Sequence, residues 1–282
     1  MSNAAGAAGR GQTNMVEQFM RSRLHFVGII VFLLILSSNA ALAQTPQQQT
    51  RGDFQWTVIP YAWLTGLSGT VGARGYQTTV DCSFADLSKY LNIGAMAHIE
   101  MLYQGRVGLF TDINYSLLGD QASGKRISLD GKTSLFLTDV AAFYRVGTVP
   151  LGQNQTSSMT FDVLAGARIW SLALKLDGDR PRGGRDIYEQ RTWADPIVGA
   201  RTEFRLTDAW LVSLRGGIGG FSVSSALTWD ATALLGYTFW EHGTLLAGYR
   251  AVGVNYNTGS GKSAFKFDAT LNGPIIGLAF TF

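Results

Sequence analysis

From Phe54 onward the polarity of this chain alternates with a period of two, over runs longer than a soluble strand needs. The clearest run is Leu227 to Phe239. Leu227, Trp229, Ala231, Ala233, Leu235, Tyr237 and Phe239 are apolar, while Thr228, Asp230, Thr232, Gly236 and Thr238 between them are polar or small, with Leu234 the exception. Period two places alternate side chains on opposite faces of a strand. Strands in soluble proteins usually run about five or six residues, whereas a strand that crosses a bilayer needs roughly 9–11. The same rhythm marks ten segments: 54–66, 92–103, 106–118, 132–147, 158–174, 192–206, 209–222, 226–239, 244–257 and 264–282. Glycines scattered through them, 34 in the whole chain, argue against helices.

Composition narrows the choice further. Only 15% of residues are charged and 12% are aromatic; a soluble domain averages about 25% charged. Disorder needs high charge and few aromatics, so it is excluded. Beyond the N-terminus no run reaches the roughly 18 apolar residues of a membrane helix. Cys82 is the single cysteine, which excludes a disulfide scaffold and a cysteine-rich metal site.

The first 43 residues read as an address. Arg21 and Arg23 precede an apolar run from Phe26 to Leu36, followed by Ala41-Leu42-Ala43. A basic region, a short apolar core and an A-x-A site make a cleavable secretory signal, with residues before Met20 an upstream extension. The expected organisation is an N-terminal extension plus signal over 1–43, a polar lead-in over 44–53 and one β domain over 54–282. The chain holds 23 basic and 20 acidic residues; losing Arg10, Arg21, Arg23 and Glu17 with the signal leaves 20 against 19. A clustered basic face for nucleic acid is not in view.

Connections alternate between tight turns (104–105, 207–208, 241–243) and long loops (67–91, 119–131, 175–191). That is the pattern of an up-and-down transmembrane barrel, short on the periplasmic side and long outside. The 148–157 connection is too long for this rule and 223–225 too short. Residues 84–91 have room for a helical turn or two. In the last segment Ile276, Leu278, Phe280 and Phe282 alternate, but Phe265, Phe267, Ala269 and Leu271 are apolar on the other parity. The expected reconciliation is a β-bulge at Gly273-Pro274, because proline cannot donate to a ladder. The run Gly216-Gly217-Ile218-Gly219-Gly220 has no following Lys-Ser/Thr, so it reads as close packing and not as a phosphate loop.

The polar faces carry charge. They hold His98, Glu100, Asp112, Asp139, Arg145, Asp162, Arg168, Asp195, Arg201, Glu203, Arg205, Arg215, Asp230 and Arg250, then Lys266 and Asp268. A charged side chain facing lipid costs about 2–4 kcal/mol at the midplane, so these residues are expected to line the lumen as a polar network. The tight turn after Tyr103 makes His98 the approximate cross-strand neighbour of Asp112. Outside, Trp56, Tyr103, Tyr115, Tyr144, Trp210, Trp229, Tyr237 and Tyr249 fit aromatic girdles.

Residues Pro60-Tyr61-Ala62-Trp63, the segment Ser83-Phe84-Ala85-Asp86-Leu87, and Gly105-Arg106-Val107-Gly108 stand in this order in the chain. The stretch 57–118 resembles a family of uncharacterised Gram-negative outer-membrane β-barrel proteins with a Pro-Tyr-x-Trp strand, a Ser-Phe-x-Asp-Leu loop and a Gly-Arg-x-Gly hairpin. The resemblance implies the fold and no ligand or active site. A terminal Phe on an amphipathic strand also resembles the assembly signal of such barrels, here Phe280 and Phe282.

The expected fold is therefore all-β, an antiparallel up-and-down barrel of about ten strands, with eight as the alternative, in the cell outer membrane. Ten strands filled with charge are too few for a wide porin. Three roles compete: a non-enzymatic structural, surface-interaction or receptor barrel, a narrow channel for small or hydrophobic solutes, and an enzyme centred on His98. The first is expected, with no catalytic residue, metal or cofactor. Its partners would be outer-membrane lipid, lipopolysaccharide met by Arg180, Arg182 and Arg185 on the 175–191 loop, and the barrel-assembly machinery. Asp177-Gly178-Asp179 lacks the spacing of a calcium loop.

Overall fold

The computed structural model describes residues 53–73, 76–88, 91–118, 122–124, 127–129, 133–152, 157–176 and 187–282. The signal segment, the lead-in up to residue 52 and the loop bearing Arg180, Arg182 and Arg185 lie outside the described residues. In chain order the strands are β1 (Phe54–Trp63), β2 (Gly66–Ala73), β3 (Tyr76–Cys82), β4 (Leu91–Tyr103), β5 (Val107–Leu118), β6 (Ala122–Gly124) and β7 (Ile127–Leu129). They continue with β8 (Thr133–Leu151), β9 (Ser157–Leu176), β10 (Ile187–Arg205), β11 (Trp210–Gly219), β12 (Leu227–Trp240), β13 (Gly243–Thr258) and β14 (Phe265–Thr281). A short helix, α1 (Phe84–Ser88), follows β3.

Ten of these close an antiparallel barrel in the order β1-β4-β5-β8-β9-β10-β11-β12-β13-β14, with β14 pairing back onto β1. Closure of β1 on β14 and β4 leaves no free edge at the level of the apolar belt, the condition for a sheet to sit in lipid. β6 and β7 pair only with each other. At the seam Trp56 and Phe282 exchange both backbone hydrogen bonds, at 3.1 and 2.9 Å. The β1–β14 ladder passes from Val58↔Phe280 to Tyr61↔Gly277, skipping Pro60, which has no N–H to give.

Two parts of the sequence reading are corrected. The 67–91 segment is not a plain loop. β2 continues β1 along β14 in the same register, from Asn272↔Gly66 to Phe265↔Ala73, and β3 folds back on β2. Nor does β14 carry a bulge: its ladder with β13 runs unbroken from Gly243↔Phe280 to Thr258↔Phe265. Its odd-numbered residues point inward along the whole strand. What changes is the surroundings. Ile276 and Leu278 face outward and are exposed, as lipid-facing residues are, whereas Lys266, Asp268, Thr270 and Asn272 on the same face are polar. Lys266 and Asp268 thus stand outside the lumen, against expectation, with Nζ and Oδ2 4.0 Å apart. The apolar belt ends near Pro274, and the barrel wall continues past it into water.

This explains strands of 19 or 20 residues, as in β8, β9 and β10. Their inner half crosses the bilayer and their outer half is an extramembrane collar. β8 runs to Leu151 and β9 begins at Ser157, so most of the apparent long periplasmic connection 148–157 belongs to the strands. The outer connection between β11 and β12 runs from Gly220 to Ala226. The glycine run in β11 is close packing: a Cβ on Gly219 would stand 2.2 Å from the Pro196 carbonyl oxygen.

Candidate functional site

Two apolar clusters and a set of charged residues fill the lumen. Toward the periplasmic end Leu102, Phe110, Ala141, Phe143 and Leu164 form a small buried apolar cluster. In the collar Trp63, Leu137, Trp170, Trp193, Val252, Val254, Phe265 and Phe267 form a larger one. There Trp193 stacks on Tyr256 with centroids 4.1 Å apart and on Trp170 at 5.9 Å. The Asp139↔Arg168 rung lies between these clusters, whereas the Arg145↔Asp162 rung lies on the periplasmic side of Phe143↔Leu164. Period two accounts for the inward position of each charged residue on its strand.

The charges resolve into two clusters. In the first, the Arg168 guanidinium donates to both oxygens of Asp139, at 2.7 and 2.9 Å, to Asp230 at 2.7 Å and to the Thr228 hydroxyl at 3.2 Å. Arg215 donates to Asp139 at 2.9 Å. Two arginines therefore face two carboxylates, all at most slightly exposed. In the second, Arg145 and Arg201 both bind Asp162, at 2.9 and 2.8 Å, and Arg201 also grips Glu100 with its two terminal nitrogens. Arg250 donates to Asp112 at 2.8 Å and to the Tyr61 hydroxyl at 3.0 Å; Tyr61 in turn donates to Asp112 at 2.9 Å. Here three arginines face three carboxylates. His98 joins the ends, with Nδ1 3.2 Å from Asp112 and Nε2 3.4 Å from Glu100. Both clusters balance without a charge on His98.

Aromatic rings clamp three of these arginines. Arg201 lies over the Phe143 ring at 4.8 Å, Arg215 over Phe110 at 4.7 Å and Arg250 over Trp63 at 4.9 Å. A desolvated guanidinium gains from a ring face, so the rings position the cations as well as sealing the space around them. His98 itself stacks on Phe110 at 5.2 Å.

The structure brings together His98, Glu100, Asp112, Asp139, Arg145, Asp162, Arg168, Arg201, Arg215, Asp230 and Arg250. Three other expected members stand apart. Asp195 neighbours Arg168 across the ladder yet accepts from the Ser225 N–H and hydroxyl, at 2.7 and 2.6 Å, and so pins the 220–226 turn to β10. Glu203 and Arg205 lie at the lower rim, 40% and 47% exposed, joined to each other across 3.7 Å. Phe280 and Phe282 close the seam at the end of β14. Sequence reasoning missed Tyr61, Thr228 and the inward tryptophans Trp63, Trp170 and Trp193. Their parity carried the signal, because each shares its strand face with a charged or inward residue. Arginine also holds each carboxylate beside His98, Arg250 on Asp112 and Arg201 on Glu100. The apolar pocket between Trp63, Met96 and Leu271 does not reach His98.

Among known proteins no family model and no curated sequence matches the chain. Solved structures do. The outer membrane protease OmpT from Escherichia coli aligns at 8% identity and a TM-score of 0.44, over 85% of this chain and 100% of that one. The Neisserial surface protein A, NspA, aligns at 12% and 0.32, over 82% and 98%. Ail, the attachment invasion locus protein of Yersinia pestis, in complex with sucrose octasulfate, aligns at 10% and 0.33, over 81% and 98%. The chain's own geometry carries the assignment. Its closed wall has ten antiparallel strands, lipid-facing apolar residues outside and a charged interior, the architecture of bacterial outer-membrane barrels. The chain is a ten-stranded outer-membrane β-barrel protein.

Proposed function

We propose that the protein is a non-enzymatic outer-membrane barrel whose lumen is sealed and whose role lies on its outer face, as a surface-interaction or receptor protein. One observation carries this reading: two charge-balanced clusters of arginine and carboxylate fill the lumen beneath the aromatic collar. A porin lumen needs some 16–18 strands to stay open, and here every inward charge of the two clusters is spent on another. The collar supports an outward role. It raises a stiff wall, polar outside and aromatic inside, beyond the bilayer. Its partners on this reading are outer-membrane lipid, the phosphates of lipopolysaccharide at the outer rim, and the assembly machinery that inserts the barrel.

Single-channel recording of the refolded protein in planar bilayers tests the proposal, with folding verified by heat-modifiable gel mobility. No steady conductance over many insertions is expected. A steady conductance whose ion selectivity changes in Arg201→Gln or Arg250→Gln would overturn it in favour of a narrow channel.

A further inference from the structure

We infer that the outer half of the barrel holds a binding site for an uncharged hydrocarbon, about the bulk of one aromatic ring or a few methylenes, covered by α1. The Ser83-Phe84-Ala85-Asp86-Leu87 segment builds the lid. Asp86 accepts from the Ser83 N–H and hydroxyl at 3.2 and 2.7 Å, and Ser83 Oγ accepts from the Asp86 N–H at 3.3 Å. This reciprocal cap fixes the start of a helix of only five residues. Phe84 and Leu87, one turn apart, then line the same pocket from above. Trp63, Leu67, Met96, Leu137 and Leu271 line it from the wall and floor. The pocket measures about 110 Å³. An apolar cavity of about 150 Å³ in another protein stays dry and admits benzene or xenon, so this space suits a comparable guest.

The wall beside the pocket is parted. The β1–β4 ladder ends at Pro60↔Ala97, although β4 continues to Leu91 along β5. Past that point β2 turns to β3, and no described pairing joins residues 61–66 to 91–96. The Trp63 N–H, which an intact ladder would give to a β4 carbonyl, donates to the Met96 sulfur at 3.2 Å. A flexible thioether thus stands where a strand contact would be, at the level where the lipid belt gives way to the collar. A hydrocarbon can enter sideways there, past Met96, without crossing the charged layer. The site is separate from lumen conductance, so it stands or falls independently of the sealed-lumen reading.

The test uses toluene as probe and the full barrel reconstituted in phospholipid vesicles, with protein-free vesicles subtracted for partitioning. Cys82, the only cysteine and the residue before the lid, carries an environment-sensitive fluorophore. Calorimetry and fluorescence are expected to show one saturable site. Leu87→Trp, which fills the pocket from a segment outside the barrel ladder, is expected to weaken binding at least tenfold; Phe84→Ala, which opens the lid, weakens it less. Neither change touches the barrel wall, and gel mobility verifies folding. If toluene does not saturate but native mass spectrometry finds one phospholipid kept by the wild type and lost from Leu87→Trp, the guest is a lipid acyl chain and the site stands. No saturable toluene and no retained lipid would overturn the inference, as would binding in Leu87→Trp within twofold of wild type.

Discussion

Replacing Arg168 by methionine is the sharpest probe of what holds the lumen. Methionine fills much of the arginine stem's space and removes the charge. Arg168 is fully buried and makes four side-chain hydrogen bonds, two to Asp139 and one each to Asp230 and Thr228. The substitution leaves Asp139 and Asp230 with Arg215 alone, so a neutral cluster becomes one net negative charge in a dry layer. Removing one partner of a buried ion pair costs about 3–5 kcal/mol. At about 1.4 kcal/mol per tenfold, the folded-to-unfolded ratio falls by roughly two to four powers of ten. The double change Arg168→Met with Asp230→Asn restores the balance of Asp139 with Arg215 and should recover more than half the loss. Urea unfolding in vesicles, followed by tryptophan fluorescence and gel mobility, measures both. A loss under about 1 kcal/mol in Arg168→Met, or a double variant no more stable than the single, would show that the charges do not act as one balanced unit.

Other expectations are simpler. Leu235→Arg places a cation on the lipid face of β12 and should cost about 2–4 kcal/mol, whereas Thr270→Arg, on the polar outer face of β14, should cost little; equal losses in urea unfolding would misplace the membrane boundary. Gly219→Ala drives a Cβ to 2.2 Å from the Pro196 carbonyl oxygen, while Gly216→Ala meets nothing nearer than 3.9 Å, so the first should lose about 1–3 kcal/mol and the second almost nothing by the same assay. Burial first, then Asp86 and Asp81, push the Cys82 thiol above its ordinary pKa. The thiolate is the reactive form, so maleimide labelling should be slow at neutral pH and keep rising past pH values where a free thiol, near about 8.5, has levelled off. Asp86→Asn should shift that profile to lower pH.

Much of the barrel was legible because its pattern is local and repeated. In β12 each outward residue is apolar and each gap but Leu234 is polar or small, and the ladder keeps one register with β11 over 228–237 and with β13 over 227–238. His98 near Asp112 followed from a tight turn; the turn has three residues, 104–106, and sets the two directly opposite. The charged lumen followed from an energetic exclusion, the cost of a charge against lipid. Such inferences need no knowledge of which strand lies across the lumen.

What stayed hidden depends on partners remote in sequence. Arg201 meets Glu100 101 residues away and Arg250 meets Asp112 138 residues away; the alternation says that each points inward, not whom it meets. The misreading of β14 has the same root. Hydrophobicity at a given parity does not by itself mean lipid: Phe265 and Phe267 are apolar because they fill the collar, whose outside is water. An apolar residue reports only that it avoids water. Whether lipid or a packed lumen supplies the shelter is set by height along the barrel, and a chain that rises past the bilayer exchanges one for the other without shifting its register.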